Sequence, residues 1–186
     1  MTVTTLDPRV ALIIIDLQEG ILAMAKVRPD DEIVTNAIRI IDAFREKNLP
    51  VVLVNVAGGA PGRTEQSPSK GERPKGWADL ISELKQQSSD HLVTKHSWGA
   101  FTNTDLGDYL KSNQITQVVI AGIATSIGVE STARQAFELG FNVTLAVDAM
   151  TDMNKDAHAN SVARIFPRLG ETGTTEEIIS FLKVRS

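Results

Sequence analysis

The chain has 186 residues, 42% of them apolar, a length that suits one domain with a sizeable core and is short for two. Lysine plus arginine (19) nearly balance aspartate plus glutamate (23), and no run of like charge stands out, so neither nucleic acid nor an anionic membrane is expected as a partner. Cysteine is absent, which excludes disulfides and cysteine-ligated metal, and MTVTTLDPR at the start lacks the basic-then-apolar order of a secretory signal, so a cytoplasmic location is expected.

The longest apolar run, Val10 to Ile15, is six residues, far below the about 20 that a bilayer span needs. It predicts a buried first strand, ALIIID (Ala11 to Asp16). Ile33, Ala37, Ile40, Ile41 and Phe44 form a stripe of helical period that stops at Lys47-Asn48, and Pro50 opens the second strand, PVVLVNV, which ends at Val56. Ala57 to Gly76, rich in Gly, Pro, Ser and charge, breaks the rhythm; a loop this long in a compact domain is either functional or disordered. The Lys-Ser/Thr spacing of a phosphate-binding loop is missing from it, so no nucleotide site is assigned there. A flap that brings Arg63 or Arg73 to an anionic substrate and a solvated insertion are the two readings of this segment.

HLVTK (His91 to Lys95) predicts the third strand, and a helix after Thr104 places Leu106 and Leu110 on one face. QVVIAGI (Gln117 to Ile123) predicts the fourth strand. It runs into a helix from about Gly128 whose inner face is Val129, Ala133, Ala136 and Phe137, halted by Gly140. NVTLAV (Asn142 to Val147) predicts the fifth strand, followed by a helix over about Lys155 to Arg168, a short sixth strand near Leu169 to Thr172, and a last helix from Thr175 to Val184. Continuous apolar runs read as strands buried on both faces, hence a parallel sheet. Their alternation with helices predicts a single α/β domain over residues 1–186, a three-layer α/β/α, Rossmann-like arrangement with a mostly parallel six-stranded sheet.

In such sheets ligands bind beyond the carboxyl ends of the strands, where the strand order reverses. The residues to inspect are therefore Asp16, Asn55, Lys95 and the turn from Ile123 to Gly128. An acid and an amine leaving strands at the same edge can share one cleft, each moving the other's pKa. Singly, Asp16 reads as a turn acid and Lys95 as a surface lysine; together with the turn they form a candidate catalytic set.

Three blocks carry a resemblance that extends over nearly the whole chain. IIIDLQEGIL (Ile13 to Leu22), TKHSWGAF (Thr94 to Phe101) and AGIATSIGVESTARQAFELGFNVTLAVDAMTD (Ala121 to Asp152) resemble the signature blocks of the isochorismatase-like hydrolase superfamily. The phrase IGVESTAR is similar to the YecD-like branch. The resemblance implies that Asp16 is the general acid/base, that Lys95 is the site lysine, and that Gly128 stands where amidases of the superfamily carry a nucleophilic cysteine. It further implies a cis peptide at Ile123-Ala124, backbone donors from Ala124 to Gly128 forming an oxyanion-type hole, and a homo-oligomer.

Glycine has no side chain with which to attack a carbonyl, so covalent amidase mechanisms of the nicotinamidase and carbamoylsarcosine amidase type are disfavoured. The metal-binding Asp-x-His of nicotinamidases would fall on Asn55-Val56-Ala57, so no metal or other cofactor is expected. Ser126 and Ser131 flank Gly128, but no histidine is near in sequence to serve as base, and His91, His96 and His158 have no metal-ligand spacing. Asp148 and Asp152 read as caps of the following helix.

True isochorismatases resemble this chain in having glycine at that position; they hydrolyse a vinyl ether, which needs an acid and water rather than a nucleophile. The expected chemistry is therefore protonation of an enol-ether carbon by Asp16, held neutral in an apolar pocket under Ile15 and Leu17, with Lys95 holding a substrate carboxylate or tuning Asp16. Glycine at 128 is expected to leave room for a bulkier substrate. Gln18, Trp98, Phe101, Ile123, Ala124, Thr125 and Ile127 are the expected substrate-binding residues; for Trp98 and Phe101 the alternative is core packing, and for Gln18 satisfaction of backbone groups. The expected partner is a small carboxylated molecule. A catalytically retired binding or assembly module, and an amide hydrolase working through water activated by Asp16, are the competing readings.

Overall fold

A computed structural model of the protein describes residues 3–25, 27–28, 31–66 and 73–184, so residues 67–72 of the Gly- and Pro-rich segment lie outside the described residues. One sheet is built from β1 (Val10–Ile15), β2 (Val51–Val56), β3 (His91–Lys95), β4 (Gln117–Ile123), β5 (Asn142–Thr151) and β6 (Glu171–Gly173). The strands lie in the order β3-β2-β1-β4-β5-β6, and every neighbouring pair is parallel. The chain builds one half outward from β1 to β3, then crosses back and builds the other half from β4, so the order reverses between β1 and β4. In sheets of this kind such a reversal, beyond the carboxyl ends of the strands, is where ligands bind.

Helices α1 (Glu19–Ala25), α2 (Glu32–Glu46), α3 (Leu106–Ser112), α4 (Glu130–Glu138), α5 (Lys155–Asn160), α6 (Phe166–Leu169) and α7 (Thr175–Lys183) cover the sheet. β1 is buried along its whole length, and its alternate residues feed two cores, as the period of a strand requires. Leu12 and Ile14 pack with Val34, Ile40, Phe44 and Ile178 on one side; Ala11, Ile13 and Ile15 pack with Leu106, Leu110, Ala133 and Phe166 on the other. The three-layer α/β/α reading of the sequence thus describes the molecule. Among the described residues no helix is long and apolar enough to cross a membrane.

Four elements differ from the sequence expectation. HLVTK forms β3, but as an edge strand with alternating burial, and Leu92 is 48% exposed, because no strand lies beyond it. β5 runs on past Val147 to Thr151: a register break opposite Ile120 to Gly122 lets the ladder continue through the polar Asp148. The helix expected from Gly128 starts instead with a π-helical turn, Thr125–Val129, and Phe137, expected on its inner face, is 51% exposed on the shoulder of the stripe in the last turn. The helix expected over 155–168 is three pieces, α5, a π-helical turn at Ser161–Ile165, and α6; Pro167 in the first turn of α6 has no N–H to return to the preceding turn. α1, too short to show a periodic stripe, is an addition.

Candidate active site

Asp16 is the first residue past the central strand β1, and its backbone turns sharply there, with φ of 52°, a region in which Asp is tolerated better than most residues. Its N–H still donates to Val54 O at 2.9 Å, so the turn begins from a fully paired ladder. Lys95 is the last residue of β3, two strands away. Its ammonium reaches under the end of β2 to Asp16, with Nζ 2.7 Å from Oδ2, and also donates to Ser97 O at 3.3 Å. Asp16 is 4% exposed and Lys95 2%.

The second oxygen of Asp16, Oδ1, is buried and accepts no hydrogen bond from any described residue. Such a group costs free energy unless it carries a proton or meets a ligand. Burial pushes the Asp16 carboxyl up to about 6 from 3.8, against the Lys95 ammonium, whose charge and hydrogen bond lower it. Ile15 and Leu17, fully buried on either side, supply the apolar surroundings.

Gly128 lies directly against this pair. A Cβ placed on it would come 2.9 Å from Ile15 Cγ2, 3.2 Å from Asp16 Oδ2 and 3.5 Å from Lys95 Nζ. The space opened by glycine is therefore filled by the pair itself and by Ile15, which corrects the expectation of added room for substrate. Gly122, one residue before the turn, has φ of 120°, and a Cβ there would fall 2.0 Å from Ile15 O. Only glycine lets the ends of β1 and β4 approach so closely.

The peptide between Ile123 and Ala124 is cis. Ile123, Ala124 and Thr125 are buried and Ile127 is half-buried. Ile127 and Val129 donate their N–H groups back to Ala124 O at 3.1 Å, and Ser126 donates its N–H to Asp152 Oδ2 at 2.7 Å. Two donors expected to face substrate are therefore already taken within the chain, Ser126 N–H by a carboxylate and Ile127 N–H by Ala124 O.

Several side chains have tasks that the sequence did not disclose. Asp152 accepts from Ser126 Oγ at 2.8 Å as well as from the Ser126 and Asn154 N–H groups, so it caps the turn after β4 and the chain ahead of α5 together. His158, 33 residues from Thr125, places Nδ1 2.8 Å from Thr125 Oγ1; an imidazole does touch a hydroxyl of the turn, although none is near in sequence. Asp148 caps α7 through Thr175 N–H and Oγ1 rather than the next helix. Gln18, fully buried, donates to Val56 O and Trp77 O and accepts from Val56 N–H, which is the backbone-satisfying alternative. Asn55 ties Ala78 O and Thr94 Oγ1 together.

Phe101 is half-buried in the second core beside Phe141, the packing alternative, whereas Trp98 is 62% exposed, which overturns core packing for it. Arg73 stacks over the Trp77 ring at 4.0 Å, and Arg63 is exposed. His91 stacks on Tyr109, and His96 lies against Gly58. Surface grooves of about 400, 370 and 320 Å³ are lined by other parts of the chain, the first at the opposite end of β4 and β5, and none by Asp16, Lys95 or Gly128. The chemistry of the pair makes it the candidate site; groove size does not. Among the described residues no cluster of His, Cys, Asp and Glu could hold a metal ion.

The chain as a whole is similar to a wider set of proteins. Residues 10–177 match the model of the isochorismatase domain. The chain is 41% identical over 182 residues to the isochorismatase family protein YwoC of Bacillus subtilis (strain 168), covering 94% of this chain and 95% of that one. It is 40% identical over 179 residues to the isochorismatase family protein YecD of Escherichia coli O157:H7, covering 92% and 95%. A solved structure of an isochorismatase family protein from Burkholderia thailandensis superposes with a TM-score of 0.89 at 38% identity, covering 97% of this chain and 98% of that one. On fold, on the extent of the match and on identity, the chain belongs to the isochorismatase family of hydrolases.

Proposed function

We propose that the protein hydrolyses a small carboxylated substrate by acid catalysis from Asp16, without a covalent intermediate, with vinyl ethers of the isochorismate type as the template. The observation that carries this reading is the buried Asp16–Lys95 contact with Asp16 Oδ1 unpaired and no nucleophilic side chain at position 128. Asp16 protonated on Oδ1 donates to the terminal =CH₂ carbon of the enol ether. The C=C electron pair takes that proton, and an oxocarbenium ion forms at the ether carbon. Water adds there, its departing proton restores the Asp16 acid, and the hemiketal collapses to an alcohol and a pyruvate-type keto acid. Asp16 thus ends as it began, and no group other than water is consumed. Lys95 stabilises the carboxylate form of Asp16 between the two proton transfers and is the cation available to a substrate carboxylate.

Pyruvate release from isochorismate and related enol ethers tests this, comparing wild type with Asp16→Asn. Turnover lost by about 100-fold or more in the variant supports the reading; turnover that survives the substitution removes it. The amide-hydrolase alternative uses Asp16 ionised, as base toward water, so its rate would rise with pH through about 6, where the acid mechanism falls. The binding-module alternative draws on the near-complete burial of the pair, and absence of turnover across enol ethers, amides and ureides would favour it.

A further inference from the structure

The reading of Asp16, Lys95 and Gly128 as the site leaves open what fixes Lys95, on an edge strand, against a turn three strands away. We infer that Thr132 and Gln135, neighbours on one face of α4, are positioning residues that set the Lys95 ammonium against Gly128 by gripping the segment Gly99 to Thr102. This inference rests on that functional reading and concerns how the site is held. Residues three apart on a helix lie on the same side, one above the other.

Thr132 is fully buried; its Oγ1 donates to Gly128 O at 2.7 Å and accepts from Ala100 N–H at 3.1 Å. Gln135 Oε1 accepts from Phe101 N–H at 3.1 Å, and its Nε2 donates to Thr102 Oγ1 at 2.6 Å. Consecutive residues of one segment are thus taken by two side chains of the helix that continues from Gly128. Gly99 makes the approach feasible, since a Cβ there would fall 2.1 Å from Gln135 Oε1. Just ahead of this segment, Ser97 O accepts from Lys95 Nζ at 3.3 Å, and Ser97 Oγ donates to Gly99 O at 3.0 Å, which links the ammonium to the gripped residues.

The contacts close a ring: Asp16 to Lys95, Lys95 to Ser97, the chain to Ala100, Ala100 to Thr132, Thr132 to Gly128, and Gly128 back against Asp16 and Lys95. Removing the Thr132 hydroxyl leaves the N–H of fully buried Ala100 without its acceptor and detaches the Lys95 segment from the turn. A scaffold residue would lower melting temperature and leave Asp16 as it was. A positioning residue changes the proximity of ammonium and carboxylate, and so the titration of Asp16.

The experiment follows the Asp16 side-chain carboxyl by ¹³C NMR across pH in the full chain, for wild type, Thr132→Val, Thr132→Ser and Gln135→Met. Thr132→Ser, which keeps the hydroxyl, should titrate with wild type. Thr132→Val should raise the midpoint by about one pH unit, because an opposite charge withdrawn from a carboxylate no longer lowers it, and Gln135→Met should raise it by less. An unchanged or lowered midpoint in Thr132→Val overturns the inference. Should Thr132→Val not fold, Gln135→Met decides alone, and no upward displacement in it overturns the inference equally. The readout needs no turnover. A raised midpoint in a protein that hydrolyses nothing would refute the functional reading and leave the coupling standing; turnover with an unmoved midpoint would do the reverse.

Discussion

Two short, buried ion pairs are anchored to opposite ends of the same strand, β3, and they differ in one respect. At the amino end Asp90 meets Arg45, with Nη2 2.6 Å from Oδ2 and Nε 3.3 Å from Oδ1, and Asp90 also accepts from Gln87 N–H at 2.8 Å while Arg45 donates to Leu84 O at 3.1 Å. Each carboxylate oxygen there has a partner. At the carboxyl end Asp16 meets Lys95 through Oδ2 alone, and Oδ1 is left over. Burial is nearly equal, since side-chain exposure is 10% and 1% for Arg45 and Asp90 against 2% and 6% for Lys95 and Asp16. What separates the two pairs is therefore not depth but unused hydrogen-bonding capacity.

That contrast can be broken in several ways. The largest expected effect is on turnover: Asp16→Asn should cost about 10²- to 10⁴-fold in kcat, the range of a lost general acid, whereas Asp90→Asn should leave kcat per folded molecule within about twofold. Steady-state kinetics on protein of matched folded fraction measures both. Next in size is stability. Arg45→Met, which strands a buried carboxylate, should lower the unfolding free energy by about 3 to 5 kcal/mol in urea titrations without altering the Asp16 titration.

The pH dependence of Asp16 sharpens the comparison. Its carboxyl is raised from 3.8 to about 6 by burial, so the folded state holds a proton that the unfolded chain has already lost. The stability this contributes is present below about pH 4 and is lost as pH rises through about 6, a change of about 3 kcal/mol that should vanish in Asp16→Asn when the two proteins are unfolded in parallel. The rate of acid-catalysed turnover should hold below about pH 6, where Asp16 stays protonated, and fall about tenfold per pH unit above it. The smallest expected effect is that of Gly128→Ala. A methyl 2.9 Å from Ile15 Cγ2 and 3.2 Å from Asp16 Oδ2 must push the pair by a few tenths of an ångström, for about 1 to 3 kcal/mol of stability and a several-fold loss of rate.

The sheet was legible because parallel strands covered on both faces must be apolar without interruption, and VALIII, VVLV and QVVIAGI are such runs. β3 was legible as a strand but not as an edge, since nothing in HLVTK states which neighbours it will have. The π-helical turns were not legible. Their cause is tertiary: Thr125, Ser126 and Ser161 are held by His158, Asp152 and Glu130, residues 26 to 33 positions distant. Asp16, Lys95 and Gly128 were placed in one site on the strength of a resemblance and of strand ends, and the geometry brings them within contact. Thr132 left a trace in the sequence, a hydroxyl four residues after Gly128, but its second partner comes from a segment whose position no local pattern encodes.

The acid and the amine are mounted on strands of unequal permanence. β1 is hydrogen-bonded to a strand on each side, while β3 is bonded on one side only. Amide protons of β1 should therefore exchange only on global opening, and those of β3 through fluctuations of lower free energy. With the pair at 2% to 4% exposure, fraying of the rim would bare the ammonium to solvent from time to time while the carboxyl keeps its place.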